Sequence, residues 1–116
     1  MIARIWRGNV RADKADEYLA YVEKTGLDEY RRTPGNLGAF VLRRVENDTA
    51  EFLVVSFWEG FEAIRRFAGP HPENAVYYPE DDRYLLGKEP HVKHYEVGAG
   101  YLPDLDRSAA EVSRTI

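Results

Sequence analysis

Residues 37–58 read LGAFVLRRVENDTAEFLVVSFW, and they contain the pattern of a two-stranded unit from which a sheet can be built. It holds two apolar runs, 37–46 and 51–58, which are separated by the turn-forming pair Asn47-Asp48. Two strand patterns around such a pair predict a β-hairpin. The second run is apolar at nearly every position, which indicates a strand that is covered on both faces.

The segment before the hairpin predicts a strand and then a helix. Residues 2–10 carry apolar side chains on both faces of a strand, so we expect this strand at the centre of a sheet. The helix should run from about 13 to 31, with Asp13 as its N-cap and a weak point at Gly26.

The segment after the hairpin predicts a short helix and a last strand. The helix covers about 60–68 and places Phe61, Ile64 and Phe67 on one face. The strand is expected at 91–97. The chain order is therefore β-α-β-β-α-β, which predicts a ferredoxin-like α+β fold with one antiparallel sheet and both helices on one face.

The sheet face without helices is also apolar in this arrangement. It would carry Ile5, Val55 and Phe57, and such a face is a liability for a single molecule in water. We therefore expect a homodimer in which the two sheets face each other.

Composition limits what the chain can be. It has 116 residues, a net charge of -4 and no cysteine, which predicts one domain over 1–97 and a polar tail or arm over 98–116. The lack of cysteine favours a cytoplasmic location. The acidic balance argues against nucleic acid as a partner. The start of the chain does not resemble a signal peptide, and no apolar run approaches the ~20 residues of a membrane span, so we expect no membrane partner.

Five stretches resemble the antibiotic biosynthesis monooxygenase (ABM) family, within the dimeric α+β barrel proteins. They are Ile2–Gly8, Thr33–Asn36, Ser56–Glu59, Phe67–Gly69 and Glu89–Val97. The resemblance spans about residues 2–97 and implies a dimeric barrel. It implies an activity only broadly, because the family includes quinone-forming monooxygenases that use O2 without metal or flavin, haem-degrading enzymes, and proteins with no known substrate.

The haem-degrading branch of the family can be compared residue by residue. Its members use an Asn on the first strand, a Trp in the second helix and a His beyond that helix as the iron ligand. Here the matching positions hold Trp6, Phe67 and Tyr77, with Asn9 and His71 displaced from them. Haem degradation is therefore the less favoured activity, and we expect no cofactor.

Three residues are candidates for acid–base or electrostatic catalysis. His94, on the last strand, could act as a general base near neutral pH, or could be a hydrogen-bonded core residue. His71 lies between two prolines, either at a pocket mouth or on a surface loop. Arg4 could hold an enolate or phenolate oxygen, or could instead pair with Glu96 or another carboxylate. The histidine spacing predicts no metal site.

Aromatic residues are the candidates for substrate binding. Trp6 should share a strand face with Arg4 and could stack on an aromatic substrate, or it could fill the core. Phe67 and Trp58 could line the same pocket, although Trp58 reads more as a packing residue. Tyr77 and Tyr78 lie in the long loop over 70–90, where they could form a lid or fill the gap between loop and sheet.

The acidic run in that loop reads as ordinary surface. Glu80, Asp81 and Asp82 are consecutive, and Asp81 or Asp82 could cap a helical turn at 81–86.

The sequence thus predicts a cofactor-independent monooxygenase that acts on a small aromatic compound of the phenol or hydroquinone type. The alternatives are a non-catalytic small-ligand-binding or stress-response barrel, and an interaction module with 98–116 as its docking arm.

Overall fold

The structure, a computed structural model, describes residues 1–102. Its sheet has four antiparallel strands: β1 (Ile2–Arg11), β2 (Asn36–Glu46), β3 (Thr49–Trp58) and β4 (Lys93–Glu96), in the order β2-β3-β1-β4. This is the predicted ferredoxin-like topology, with β1 at the centre. Residues 103–116, which belong to the predicted tail, lie outside the described part.

The hairpin has the predicted turn, and Asn47 there adopts a left-handed backbone with φ of 56°, as such turns require. β4 is shorter than the predicted strand over 91–97. Its first predicted residue, His91, forms only an isolated bridge with Asn74 of the preceding loop.

The segment between β1 and β2 is helical throughout. A 3-10 turn (Ala12–Lys14) leads into α1 (Ala15–Val22), a π-helical turn (Glu23–Leu27) and α2 (Asp28–Arg32). The expected weak point at Gly26 falls in the π-helical turn. Asp13 is not the predicted N-cap, because no side chain caps the 3-10 turn.

The carboxylate of Asp13 instead accepts a hydrogen bond of 2.6 Å from Arg11. An aspartate can compensate a helix dipole from within the first turn without capping it.

Two further helices follow β3, namely α3 (Phe61–Ala68) and the single turn α4 (Asp81–Tyr84). Ile64 and Phe67 face the core as predicted, but Phe61 is 40 % exposed and Ala63 is buried instead. The predicted face of α3 is therefore confirmed at Ile64 and Phe67 and wrong at Phe61.

The core lies between the helices and one face of the sheet. Phe52 and Trp58 of β3 and Tyr18 of α1 are fully or almost fully buried there. The Trp58 indole N–H donates to Ser56 Oγ at 2.8 Å, which satisfies a buried donor within the same strand.

The opposite face of the sheet is apolar and partly open. Phe40 and Leu42 of β2 and Tyr95 of β4 are each about half exposed, beside half-buried Val55 and Phe57 of β3. In the described part of the chain, no helix is long and apolar enough to cross a membrane.

Candidate functional site

A cavity lies between β1, the helical segment 15–32 and the long loop that precedes β4. Its lining includes Arg4, Trp6, Tyr18, Phe67, Tyr78 and Asp81. The cavity volume open to the centre of a water molecule is about 40 Å³, which is room for about three waters. A molecule the size of one aromatic ring therefore requires the surrounding side chains to move.

Arg4 is the buried cation of this cavity and is only 2 % exposed. Strand alternation points it, together with Trp6, to the helix side of the sheet. Its guanidinium donates to the backbone carbonyls of Pro72 and, at 2.8 Å, of Asn74. The guanidinium carbon lies 5.6 Å from the centre of the Phe67 ring, in a cation–π contact.

No carboxylate of the described residues lies within 4 Å of the Arg4 guanidinium. The predicted alternative of an ion pair with Glu96 is therefore not found. Burial lowers the pKa of Arg4, against an opposing effect of Tyr30, but arginine keeps its charge in proteins. Among the described residues, the direct hydrogen-bond partners of this positive charge are thus two backbone carbonyls and His94, and none is a carboxylate.

His94 stands opposite Arg4 in the register of β1 and β4. Its Nε2 lies 3.1 Å from a guanidinium nitrogen of Arg4. Arginine can only donate, so Nε2 accepts and we assign the ring proton to Nδ1. The ring packs edge-on against Phe61, with centres 5.2 Å apart, and does not line the cavity. His94 therefore acts on Arg4 and not on a molecule in the cavity.

Burial first and the charge of Arg4 second lower the pKa of His94, while Glu73 opposes them. The imidazole is consequently neutral at neutral pH. His71 lies elsewhere: its side chain is 70 % exposed and sits 3.8 Å from Glu73. The structure does not bring His71 and His94 together.

The position of the Trp6 indole ring depends on Gly8, the next residue on the same face of β1. An added Cβ at Gly8 would lie 2.4 Å from Cη2 of Trp6 and 2.9 Å from a methyl carbon of Leu85. The indole ring therefore occupies the space that a side chain at Gly8 would fill. Trp6 also meets Tyr77 edge-on, with ring centres 6.3 Å apart.

The two loop tyrosines have different roles. Tyr78 lines the cavity, and its hydroxyl donates to the carboxylate of Glu29 on α2. Tyr77 packs outside it, and its hydroxyl donates to the carbonyl of Glu89. Phe67 lines the cavity, whereas Trp58 lies in the core behind it.

Asp81 is the site residue that sequence reasoning missed. It is 5 % exposed and lines the cavity, although the run around it reads as solvated surface. Its Oδ1 accepts from the Tyr18 hydroxyl at 2.9 Å, and its Oδ2 accepts from the backbone N–H of Tyr78 at 2.6 Å. The nearest signal in the sequence is Tyr18, which falls on the apolar face of the first helix.

Within the described residues no group of three or more His, Asp or Glu side chains could hold a metal ion.

Three solved structures share this fold. A candidate antibiotic biosynthesis monooxygenase from Bacillus cereus has a TM-score of 0.59 at 15% identity, over 87% of this chain and 96% of that one. The heme-degrader MhuD from Mycobacterium tuberculosis, with two hemes in its active site, has a TM-score of 0.55 at 22% identity, over 87% of this chain and 99% of that one. A monooxygenase from the ActVA-Orf6 gene of Streptomyces coelicolor, in complex with nanaomycin D, has a TM-score of 0.53 at 20% identity, over 89% of this chain and 91% of that one.

These identities establish a common fold and not a common activity. A search of curated proteins gives no match to the chain. The model of the family described as antibiotic biosynthesis monooxygenase matches residues 1–71, which is more than half of the sequence. The chain therefore belongs to the antibiotic biosynthesis monooxygenase family.

Proposed function

We propose that this protein is a monooxygenase that oxidises a small phenol, hydroquinone or anthrone with O2 and without a bound cofactor. One observation carries the proposal: Arg4 is a buried cation with no carboxylate partner within residues 1–102, and it lines a cavity with aromatic walls. Membership of the family supports the reaction type.

The Arg4 guanidinium favours the anion of such a substrate. Backbone carbonyls and His94 hold it in place but bring no full negative charge. A phenolate or enolate oxygen would supply that charge in a site of low dielectric, where the attraction is stronger than in water. The anion is also the form of these compounds that gives electrons to O2.

The overall reaction balances with O2 as the oxidant. For an anthrone, the ring CH2 becomes a carbonyl. One oxygen atom of O2 bonds to that carbon, and the other leaves as water with the two hydrogens. The substrate loses four electrons and O2 gains them.

Entry of the substrate requires the long loop to move. Tyr78 and Asp81 of this loop form part of the cavity wall, and the present volume holds only a few waters. Trp6 and Phe67 then offer flat surfaces to the substrate ring.

The residues do not fit haem as a cofactor. Neither His71 nor His94 lines the cavity, and the Tyr78 hydroxyl is engaged by Glu29. The resemblance to the family also matches Trp6 and Phe67 to the Asn and Trp of its haem-degrading members. We expect a haem titration to show no shifted Soret band.

A second candidate function is binding of an aromatic anion without turnover. It is supported by the placement of both candidate bases, His71 and His94, outside the cavity. The same Arg4 and aromatic walls would serve this function.

Oxygen uptake distinguishes the two functions. We expect the protein to consume O2 with at least one member of a panel of hydroquinones and anthrones. Arg4→Gln should lower the rate by about 10²–10³, the usual effect of losing one charge-stabilising donor. Arg31→Gln, at an exposed arginine of α2, is the matched control. Binding without uptake across the panel would contradict the oxygenase and support the binding protein.

We further propose that two copies form a dimer through the open sheet face. Phe40, Leu42 and Tyr95 expose apolar area there, and a second copy would cover it. A cytoplasmic location stays a prediction.

A further inference from the structure

Asp81 is a second charged group of the cavity. Its side chain is buried, with only 5 % of the residue exposed. No Lys or Arg of the described residues lies within 4 Å of its carboxylate. The neighbouring cation Lys88 pairs with Asp82 instead, at 2.8 Å. A buried carboxylate without an ion pair is costly for stability, so it calls for an explanation.

The carboxylate of Asp81 keeps capacity to accept a proton. It offers about four lone-pair sites. Two are used by the Tyr18 hydroxyl and the Tyr78 backbone N–H, one on each oxygen. These two donors fix the orientation of the carboxylate, and about two sites remain for a molecule in the cavity.

Asp81 and Arg4 line the same cavity without pairing with each other. A substrate that fills the space between them can therefore meet a proton acceptor and an anion holder at once. This is the arrangement that deprotonation of a weak carbon or oxygen acid requires.

We propose that Asp81 is the general base that takes the proton from the substrate, while Arg4 holds the oxygen of the resulting anion. The inference rests on the proposed function. With an anthrone, a C–H bond of the ring CH2 breaks, the proton goes to a carboxylate oxygen of Asp81, and the electron pair forms the enolate. The step is reversible and needs no oxidant.

The surroundings of Asp81 tune it as a base. Burial is the largest effect and raises the pKa of Asp81, and Asp82 raises it further. The Tyr78 N–H, the Tyr18 hydroxyl and Lys88 lower it. The pKa stays above the ordinary value of 3.8, and a higher pKa makes a carboxylate a stronger base.

Other titratable groups lie close to this network. Tyr21 and Tyr77 raise the pKa of Tyr18, and Glu29 and Tyr30 raise the pKa of Tyr78.

Hydrogen–deuterium exchange tests this base separately from oxygenation. Anthrone is incubated with the protein in D2O without O2, and loss of the CH2 signal is followed by NMR. We expect the wild type to accelerate exchange and Asp81→Asn to lower the accelerated rate by about 10²–10⁴, the usual contribution of a general base. Asp48→Asn, at an exposed aspartate of the turn between β2 and β3, is the matched control and should exchange as the wild type does.

Tyr18→Phe gives a readout that a structural role would not produce. It removes a hydrogen bond that lowers the pKa of Asp81, so the pH at which exchange begins to rise should move upward. A purely structural role would change the rate equally at every pH. This variant also keeps the test open if Asp81→Asn does not fold.

Each outcome decides a claim. Exchange that depends on Asp81, without O2 uptake, supports this base and overturns the oxygenase. Exchange that persists in folded Asp81→Asn overturns the base and leaves the oxygenase standing. No acceleration by the wild type overturns the base, and O2 uptake then decides the oxygenase alone.

Discussion

Substituting Gly8 by alanine tests whether the glycine sets the position of the Trp6 ring. Gly8 lies on the helix side of β1, two residues after Trp6, so both point to the same face. An added Cβ would approach Trp6 at 2.4 and 2.8 Å and Leu85 at 2.9 Å. None of these distances is compatible with van der Waals contact, so the indole must move.

The expected cost follows from two opposing effects. Forcing a methyl group into a packed site costs about 1–3 kcal/mol. Replacing glycine by alanine in a strand regains about 0.5–1 kcal/mol. We therefore expect Gly8→Ala to lower the free energy of unfolding by about 1–2 kcal/mol, and the melting temperature by about 4–8 °C for a chain of this size.

Displacement of the ring should also weaken ligand binding. Loss of one aromatic contact, worth about 0.5–1.5 kcal/mol, corresponds to about two- to tenfold weaker binding of 4-nitrophenol. Urea unfolding and a binding titration measure the two effects. Gly87→Ala is the control, since an added Cβ there meets nothing within 4 Å. Equal stability and equal affinity in the two variants would refute the role of Gly8.

Two further predictions concern pH and assembly. The pKa of His94 is lowered from 6.5 in the folded chain, so its contribution to stability is present above pH 6.5 and is lost as the pH falls through the folded pKa. Urea unfolding between about pH 7.5 and pH 5 should therefore show a smaller loss of unfolding free energy in His94→Gln than in the wild type. An equal dependence of the unfolding free energy on pH in the two proteins would contradict this. Phe40→Glu places a charge on the open sheet face and should convert a dimer to a monomer in sedimentation velocity at unchanged helix content, whereas a wild-type monomer would contradict the proposed dimer.

Strand periodicity was sufficient to predict one part of the site. The period of two along β1 places Arg4 and Trp6 on one face, and the hairpin pattern pairs β2 with β3. Both are local features of the sequence. The helix face was less secure, as Phe61 shows, because a single short helix gives few apolar positions from which to set the angle.

The rest of the site depends on contacts between distant residues. Asp81 is buried beside Tyr18, which lies 63 positions earlier and donates to its carboxylate, and nothing in the acidic run around Asp81 signals this contact. The contact of Arg4 with His94 requires the register of β1 and β4. The Pro72 and Asn74 carbonyls reach Arg4 only because the long loop folds back over the sheet.

Titration of bound 4-nitrophenol, whose phenol and phenolate forms absorb differently, reports directly whether Arg4 stabilises an anion in the cavity. If Arg4 stabilises a phenolate by a charge-assisted hydrogen bond of about 1.5–3 kcal/mol, the pKa of the phenol should fall by about one to two units on binding. The fall should disappear in Arg4→Gln and persist in Arg31→Gln. A bound phenol that titrates as it does in water, or equally in wild type and Arg4→Gln, would contradict the role of Arg4 as the holder of the anion.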